Sequence, residues 1–336
     1  MKITLQSTGR VFVLGAGVSA SCGIPVARDI LGQAVLHLGH KDGQEVKQIH
    51  RLLRLFYPAF DEDLRNYPNI EDFLNFIQVA KDFNKGFVSS KQWPPEELKR
   101  VDLTTLKALT DYIWSLMADA TKQRAVDNFV RNNLRRGDTV ITFNWDLTIE
   151  RALESYQGNP GFQYTYSRKR KEKEFSLLKP HGSVDWFEIE KVKALKSQRH
   201  VETHDKELCY YPEFHFGDDP ELAEISPVIV PPITSKKFRY KFLHRTWVGV
   251  LQAVTDATEL HVIGYSLPKE DQFARFVFRR AIRNNMTKSD KDKKPEMKLF
   301  VVNPDETVEQ TFYRLVGRRL LPNEIRGLGR QLQRGS

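Results

Sequence analysis

Residues 11–25 read Val-Phe-Val-Leu-Gly-Ala-Gly-Val-Ser-Ala-Ser-Cys-Gly-Ile-Pro, and no other stretch constrains the fold as much. Four apolar residues, Val11 to Leu14, run straight into Gly15-Ala16-Gly17. This is the pattern of a buried strand feeding a turn too tight for side chains. A helix is expected from near Val18 and Ser19, its first N–H groups facing any anion that lies over the turn. Strand, glycine turn and helix in that order make a nucleotide-diphosphate site. The dinucleotide fingerprint of hydride-transfer enzymes adds a third glycine and an acid roughly 20 residues further on. Here Ala20 replaces that glycine, and Leu36-His37-Leu38-Gly39-His40 offers no carboxylate. A dinucleotide bound here would have its ribose held by other means.

Composition narrows the class. The chain has 336 residues, 40% hydrophobic and 28% charged, ordinary for a globular protein with a substantial core. No apolar run approaches the ~18 residues of a membrane span. Met-Lys-Ile-Thr-Leu-Gln lacks the apolar core of a signal peptide, so a cytoplasmic protein is expected. Cys22 and Cys209 stand far apart and alone, which excludes a disulfide framework and a four-cysteine zinc site. His50, His200, His204, His215 and His244 show no ligand spacing either, and no metal is expected. The net charge of +9 gathers in Arg168–Lys173, Lys191–His200, Lys288–Lys294 and Arg318–Arg334. Such clusters permit contact with nucleic acid or an acidic partner. Their interleaved acids and lack of interspersed aromatics favour solvated loops.

Between residues 39 and 136 strand signals are scarce. Ile49, Leu52, Leu53, Leu55 and Phe56 form one helical stripe. Ile70, Phe73, Leu74, Phe76 and Ile77 form another, with Asn69 as its cap. Leu98–Met117 and Ala125–Leu134 continue in the same style. After Gly137 the pattern changes. Thr139–Phe143 reads as a buried strand with Asn144-Trp145-Asp146 opening the next helix. Ile225–Val230 is a further apolar run. A helix is expected over Tyr240–Ala257, a strand over Leu260–Ile263, a helix over Phe273–Ile282 and a strand over Lys298–Val302. Alternation of this kind predicts an α/β fold, a Rossmann-type parallel sheet with helices on both faces and a helical insertion. Residues 1–38 and 137–316 would form the sheet domain, 39–136 the insertion, and 317–336 a basic C-terminal segment. Trp114, Trp186 and Trp247 read as core, and Asp271 as the cap of the helix that follows it.

Four turns fall at predicted strand ends: Gly15-Ala16-Gly17-Val18-Ser19 with Gly23-Ile24-Pro25, Thr142-Phe143-Asn144-Trp145-Asp146, Lys179-Pro180-His181-Gly182, and Gly264-Tyr265-Ser266-Leu267. In this order they resemble the sirtuin superfamily: its Gly-Ala-Gly-x-Ser…Gly-Ile-Pro, its Thr-x-Asn-x-Asp and its His-Gly. Pro231-Pro232, Lys236 or Lys237, Trp247 and Gly-Tyr-Ser-Leu-Pro are similar to the prokaryotic sirtuin-like branch of NAD-consuming proteins. Residues 39–136 have no counterpart in the resemblance. Two departures stand out. Sirtuin deacylases carry a four-cysteine zinc module, and they continue Gly-Ile-Pro with Asp-Phe-Arg where this chain has Val26-Ala27-Arg28. The resemblance therefore implies hydrolysis of NAD to nicotinamide and ADP-ribose. A protein deacylase and a non-catalytic NAD or ADP-ribose sensor are the alternatives.

Nicotinamide leaves NAD as a neutral molecule, so no general acid is needed, unlike an ordinary glycoside with its carboxylate pair. An amide that orders water and ribose, together with a histidine base, meets the demand. The resemblance assigns these roles to Asn144 and His181. It places Gly15, Ala16, Gly17 and Ser19 at the pyrophosphate, with Ile24 and Pro25 also at the cofactor. Asp146 would hold the nicotinamide amide or orient Asn144, and reads equally as a first-turn helix acid. Gly264, Tyr265, Ser266 and Asn303 would line the phosphate and adenosine side, and the resemblance sets the turn holding Asp271 near the cofactor as well. Proteins of this branch often deplete NAD in bacterial antiphage defence. The implied partners are a second copy of the chain and a separate activator, such as a HerA-type ATPase or a short Argonaute. Any nucleic acid would be met through that partner, and no membrane is involved.

Overall fold

Val11 and Val13 face one side of a sheet, and Phe12 and Leu14 the other, because successive side chains in a strand alternate. In the computed structural model the described residues are 5–6, 9–39, 43–84, 95–157, 161–166, 169–170, 175–193, 202–203, 207–210, 225–231, 240–292 and 297–316. His200, His204, His215, Pro232, Lys236, Lys237 and the basic segment 317–336 lie outside them. Six strands build the main sheet: β1 (Arg10–Leu14), β2 (Thr139–Thr142), β3 (Phe162–Gln163), β4 (Phe175–Leu178), β5 (Glu259–Ile263) and β6 (Lys298–Val302). Their order is β6-β5-β1-β2-β4-β3, and every neighbouring pair is parallel. The expected α/β class with a Rossmann-like parallel sheet is what the chain adopts.

The helices among the described residues are α1 (Ala16–Ala20), α2 (Ala27–Gly39), α3 (Gly43–Phe56), α4 (Ile70–Asn84), α5 (Pro95–Met117), α6 (Ala120–Asn133), α7 (Thr148–Glu154), α8 (Ile189–Lys193), α9 (Lys241–Asp256), α10 (Gln272–Asp292) and α11 (Glu306–Val316). Two compact units result. One comprises Met1–Gly23, Ala120–Gly182 and Ile233–Ser336; the other comprises Ile24–Asp119 and Ser183–Pro232. No described residue of 39–136 is in a strand, but α6, within that segment, belongs to the unit that holds the sheet.

In the sheet unit both faces are covered, which is why the strands read as unbroken apolar runs. Val11, Val13, Ile141, Leu178, Leu260, Val262 and Val301 pack with Val250 and Val254 of α9, Phe278 and Ile282 of α10, and Phe312 of α11. On the opposite face Phe12, Leu14, Val140 and Leu177 meet Val126, Phe129 and Val130 of α6 and Ile149 and Leu153 of α7. In the other unit α2 packs on α3, α4 and α5 through Ile30, Leu31, Ile49, Leu53, Phe73 and Leu109. Asn69 caps α4 as expected, its Oδ1 accepting the Glu71 N–H at 2.9 Å. Trp186–Glu188, Leu208–Tyr210 and Glu202–Thr203 add a small antiparallel sheet. Ile225–Val230 yields only a two-residue strand, Val228–Ile229. No helix among the described residues is long and apolar enough to cross a membrane.

One core row is titratable. His261 of β5 is stacked between Phe12 at 4.6 Å and Phe300 at 4.5 Å, its register partners on β1 and β6. Its Nε2 meets Glu259 Oε2 at 3.1 Å, while Nδ1 is buried without a partner. Burial lowers the imidazole pKa below its usual value, against the opposing pull of Glu259 and with a smaller push from Arg10. The folded ring thus stays neutral where the unfolded ring already binds a proton. Stability is lost as pH falls through the unfolded value of about 6.5 toward the folded one. His261→Phe preserves the stack and removes this uptake, so its melting temperature should fall less than the wild type's between pH 7.5 and pH 5. Equal losses in the two proteins would refute this.

Candidate active site

Four neighbouring strands, β5, β1, β2 and β4, end in Gly264, Gly15, Asn144 and the Lys179–Gly182 turn. From β1 the chain builds outward to β2 and β4, then crosses to the other side of β1 to lay down β5 and β6. The reversal puts a topological switch point beside β1, and ligands of open parallel sheets bind at the carboxyl ends there. Residues 15–19, 143–150, 179–182 and 264–271 all belong to the sheet unit.

The glycine turn is a backbone–backbone contact. Gly15 N donates to Ile263 O at 3.0 Å, and Gly17 N donates to Gly264 O at 3.1 Å. A Cβ at Gly15 would lie 2.5 Å from Gly264 O, and one at Gly264 would lie 2.8 Å from Gly17 Cα. Gly264 also has φ +62°, open to glycine at little cost. The α1 helix is a single turn, and the Gly17 and Val18 amides are engaged by Gly264 O and Gly15 O. The expected anion cradle is correspondingly smaller than a long helix would provide.

After β2 the chain runs as a loop through Asn144–Leu147, and α7 begins only at Thr148. Asp146 explains the delay, because its Oδ1 accepts from Thr148 N at 3.0 Å and Thr148 Oγ1 at 2.6 Å. Its Oδ2 accepts from the buried Ser19 hydroxyl at 2.6 Å. That hydroxyl has one proton, and a carboxylate can only accept, so Ser19 must itself accept from Asn144. Asn144 Nδ2 accordingly donates to Ser19 Oγ at 2.6 Å and to Gly15 O at 2.9 Å. Both amide protons are bound, which fixes the orientation and leaves Oδ1 as the acceptor face of Asn144. Ser19 and Asp146 thus act on the asparagine.

Lys179, wholly buried, anchors the same loop. Its Nζ donates to Asp146 O at 2.6 Å and pairs with Glu150 Oε1 at 2.7 Å, and Tyr164 OH adds a bond to that oxygen at 3.2 Å. Two residues on, His181 is 3% exposed, and its Nε2 lies 2.8 Å from Oδ2 of Asp271, which is 0% exposed. The ring sits edge-on to Phe143 at 5.0 Å and beside Trp247 at 6.0 Å. Tyr265 stacks flat on Phe143 at 4.0 Å, so it supports this aromatic wall from within the core.

Ser266 is exposed, Ala16 partly so, and Gly17 lies at the surface of the turn. Asn303 follows β6, and its Oδ1 accepts the Asp305 N–H at 3.0 Å in front of α11. Ile24 and Pro25 fall in the other unit. Trp247 and Trp186 are core residues, as their reading predicts. Burial pushes the Cys22 and Cys209 thiols up to about 11, so neither supplies a thiolate at neutral pH. Among the described residues no group of three or more His, Cys, Asp or Glu is placed to hold a metal ion. Two elements escaped the sequence. Lys179 carries no local sign of burial, and nothing local in the chain pairs Asp271 with His181, 90 positions away.

No family model matches the chain, and no curated protein matches it. Solved structures that resemble it include Sir2Tm bound to a propionylated peptide, at 18% identity over 89% of this chain and 83% of that one, TM-score 0.33. A Sir2–p53 peptide–NAD+ complex matches at 17% identity over 89% and 83%, TM-score 0.33. A structure on the basis of sirtuin substrate affinity matches at 16% identity over 98% and 93%, TM-score 0.34. The likeness is remote.

Proposed function

We propose that this protein hydrolyses the nicotinamide–ribose bond of NAD, releasing nicotinamide, ADP-ribose and a proton. The observation that carries this reading is the oriented Asn144 amide, which presents an oxygen acceptor at the carboxyl end of β2, beside the strand that leads to His181. Nicotinamide takes the bonding electron pair as it leaves and becomes neutral, so the site needs no acid. An oxygen acceptor can order a water or a ribose hydroxyl beneath C1′, and His181 can take the proton released when water adds. The aromatic wall of Phe143, Trp247 and Tyr265 lowers the local dielectric and so strengthens these polar contacts.

The chain acts as an NAD-depleting effector, assembled with copies of itself and switched on by a separate partner. Exposed Phe76, Val79 and Phe83 on α4 support self-assembly, since they share one helix face at 46%, 57% and 61% exposure. One experiment tests the reading: nicotinamide release measured by chromatography, with and without the product of the neighbouring gene, alongside light scattering. Release of nicotinamide with one equivalent of ADP-ribose, from an oligomer, is expected. No release under either condition would remove the hydrolase reading, and a monomer at every concentration would remove the assembly.

A further inference from the structure

Asp271 sits immediately before α10, and its Oδ1 accepts the Ala274 N–H at 3.0 Å, the bond of a helix N-cap. A cap needs one oxygen. The other, Oδ2, is 2.8 Å from His181 Nε2 in a pair that is almost completely buried. The turn leading to Asp271 is strained: Leu267 has φ +51°, a left-handed conformation that leucine rarely adopts. Arg275 Nη1 holds the Leu267 carbonyl there at 2.9 Å, and Asp271 N donates to Pro268 O at 3.2 Å. Strain of this kind persists where the surroundings enforce it, commonly at functional sites.

We propose that Asp271 is a positioning residue for His181, setting which ring nitrogen bears the proton; this rests on the reading of His181 as the base of NAD hydrolysis. A buried carboxylate can only accept, so it selects the Nε2–H form of the neutral ring and places the basic lone pair on Nδ1. During turnover the water O–H bond breaks as O–C1′ forms. The proton goes to the imidazole, and the carboxylate stabilises the resulting imidazolium without taking a proton itself. The same bond fixes the ring plane against Phe143, so the base does not rotate between turnovers.

Asn is as good an N-cap as Asp. Asp271→Asn therefore separates the cap from the pair: the helix keeps its cap, but the amide can donate to Nε2 and reverse the tautomer. Ring nitrogen shifts from histidine-labelled protein at pH 8.5, assigned with His181→Gln, should show Nε2–H in the wild type and a redistributed proton in D271N. In the activated protein, kcat should drop by about 10–100-fold in D271N with KM little changed, while the melting temperature stays near that of the wild type. An unaltered ring in D271N overturns the proposal whether or not NAD is turned over. An altered ring with unchanged kcat overturns it as well. Wild-type protein that releases no nicotinamide defeats the hydrolase reading, and the ring measurement still decides whether Asp271 sets the tautomer.

Discussion

Alanine at Asn144 or at His181 should lower nicotinamide release by a hundredfold or more, the order expected of lost positioning and general-base contributions. Removing the Asn144 amide leaves its neighbours bonded. Gly15 O keeps the Val18 N–H when Asn144 is removed, and Ser19 keeps Asp146. Stability should fall by about 1–3 kcal/mol in Asn144→Ala for the two amide bonds lost and by about 3–5 kcal/mol in His181→Ala, which strands buried Asp271, while NAD binding by the folded variants should survive in equilibrium dialysis. The double variant should be little slower than either single one, because both residues serve the same step. Asn144→Asp separates orientation from bulk. It cannot donate to Gly15 O or Ser19, so the isosteric change should be at least as damaging as alanine. Near-wild-type release from the alanine variants would show that neither residue belongs to the chemistry.

The second large effect is on folding. Lys179→Ala strands Glu150, which is 4% exposed, without its ammonium, and removes the donor to Asp146 O. Breaking a buried pair by deleting one partner costs about 3–5 kcal/mol, a large part of the stability of an ordinary domain. Urea denaturation should register that loss. Lys179→Met with Glu150→Leu should recover much of it, since an apolar pair of similar volume has no charge to desolvate. The recovered fold should still turn over NAD more slowly than the wild type, because the Asn144–Leu147 loop has lost its anchor. A double variant no more stable than K179A would show that the pair is not what holds the loop.

The sheet was legible because its cause is local. Val11–Leu14, Thr139–Thr142, Glu259–Ile263 and Lys298–Val302 are β-branched or apolar runs, each closed by glycine, proline or a polar turn. Such runs report burial on both faces of a parallel sheet. The helical stripes of α3 to α5 and the cap at Asn69 were legible for the same reason, since spacing of three and four residues is itself the signal, but Leu55 and Phe76, read as part of those stripes, are exposed. Motif order is enough to put Asn144 and His181 at strand ends, where β2 and β4 lead to them. The start of α7 was less legible. An asparagine and an aspartate near a helix are equally good caps, and only the bond from Ser19, 127 positions away, shows that Asp146 is engaged on both oxygens.

What the sequence determined by itself, then, was which segments are strands and helices and which turns lie at strand ends, because those follow from side-chain period and backbone sterics within a few residues. The tertiary structure alone decided which way the Asn144 amide faces, that Tyr265 supports the aromatic wall, that Lys179 is a buried cation, and that Asp271 serves His181 as well as α10. Each of these depends on a donor meeting an acceptor, or a ring meeting a ring, across distant parts of the chain. Hydrogen bonds act over about 3 Å, and the sequence carries no measure of that distance until the sheet has brought its strand ends together.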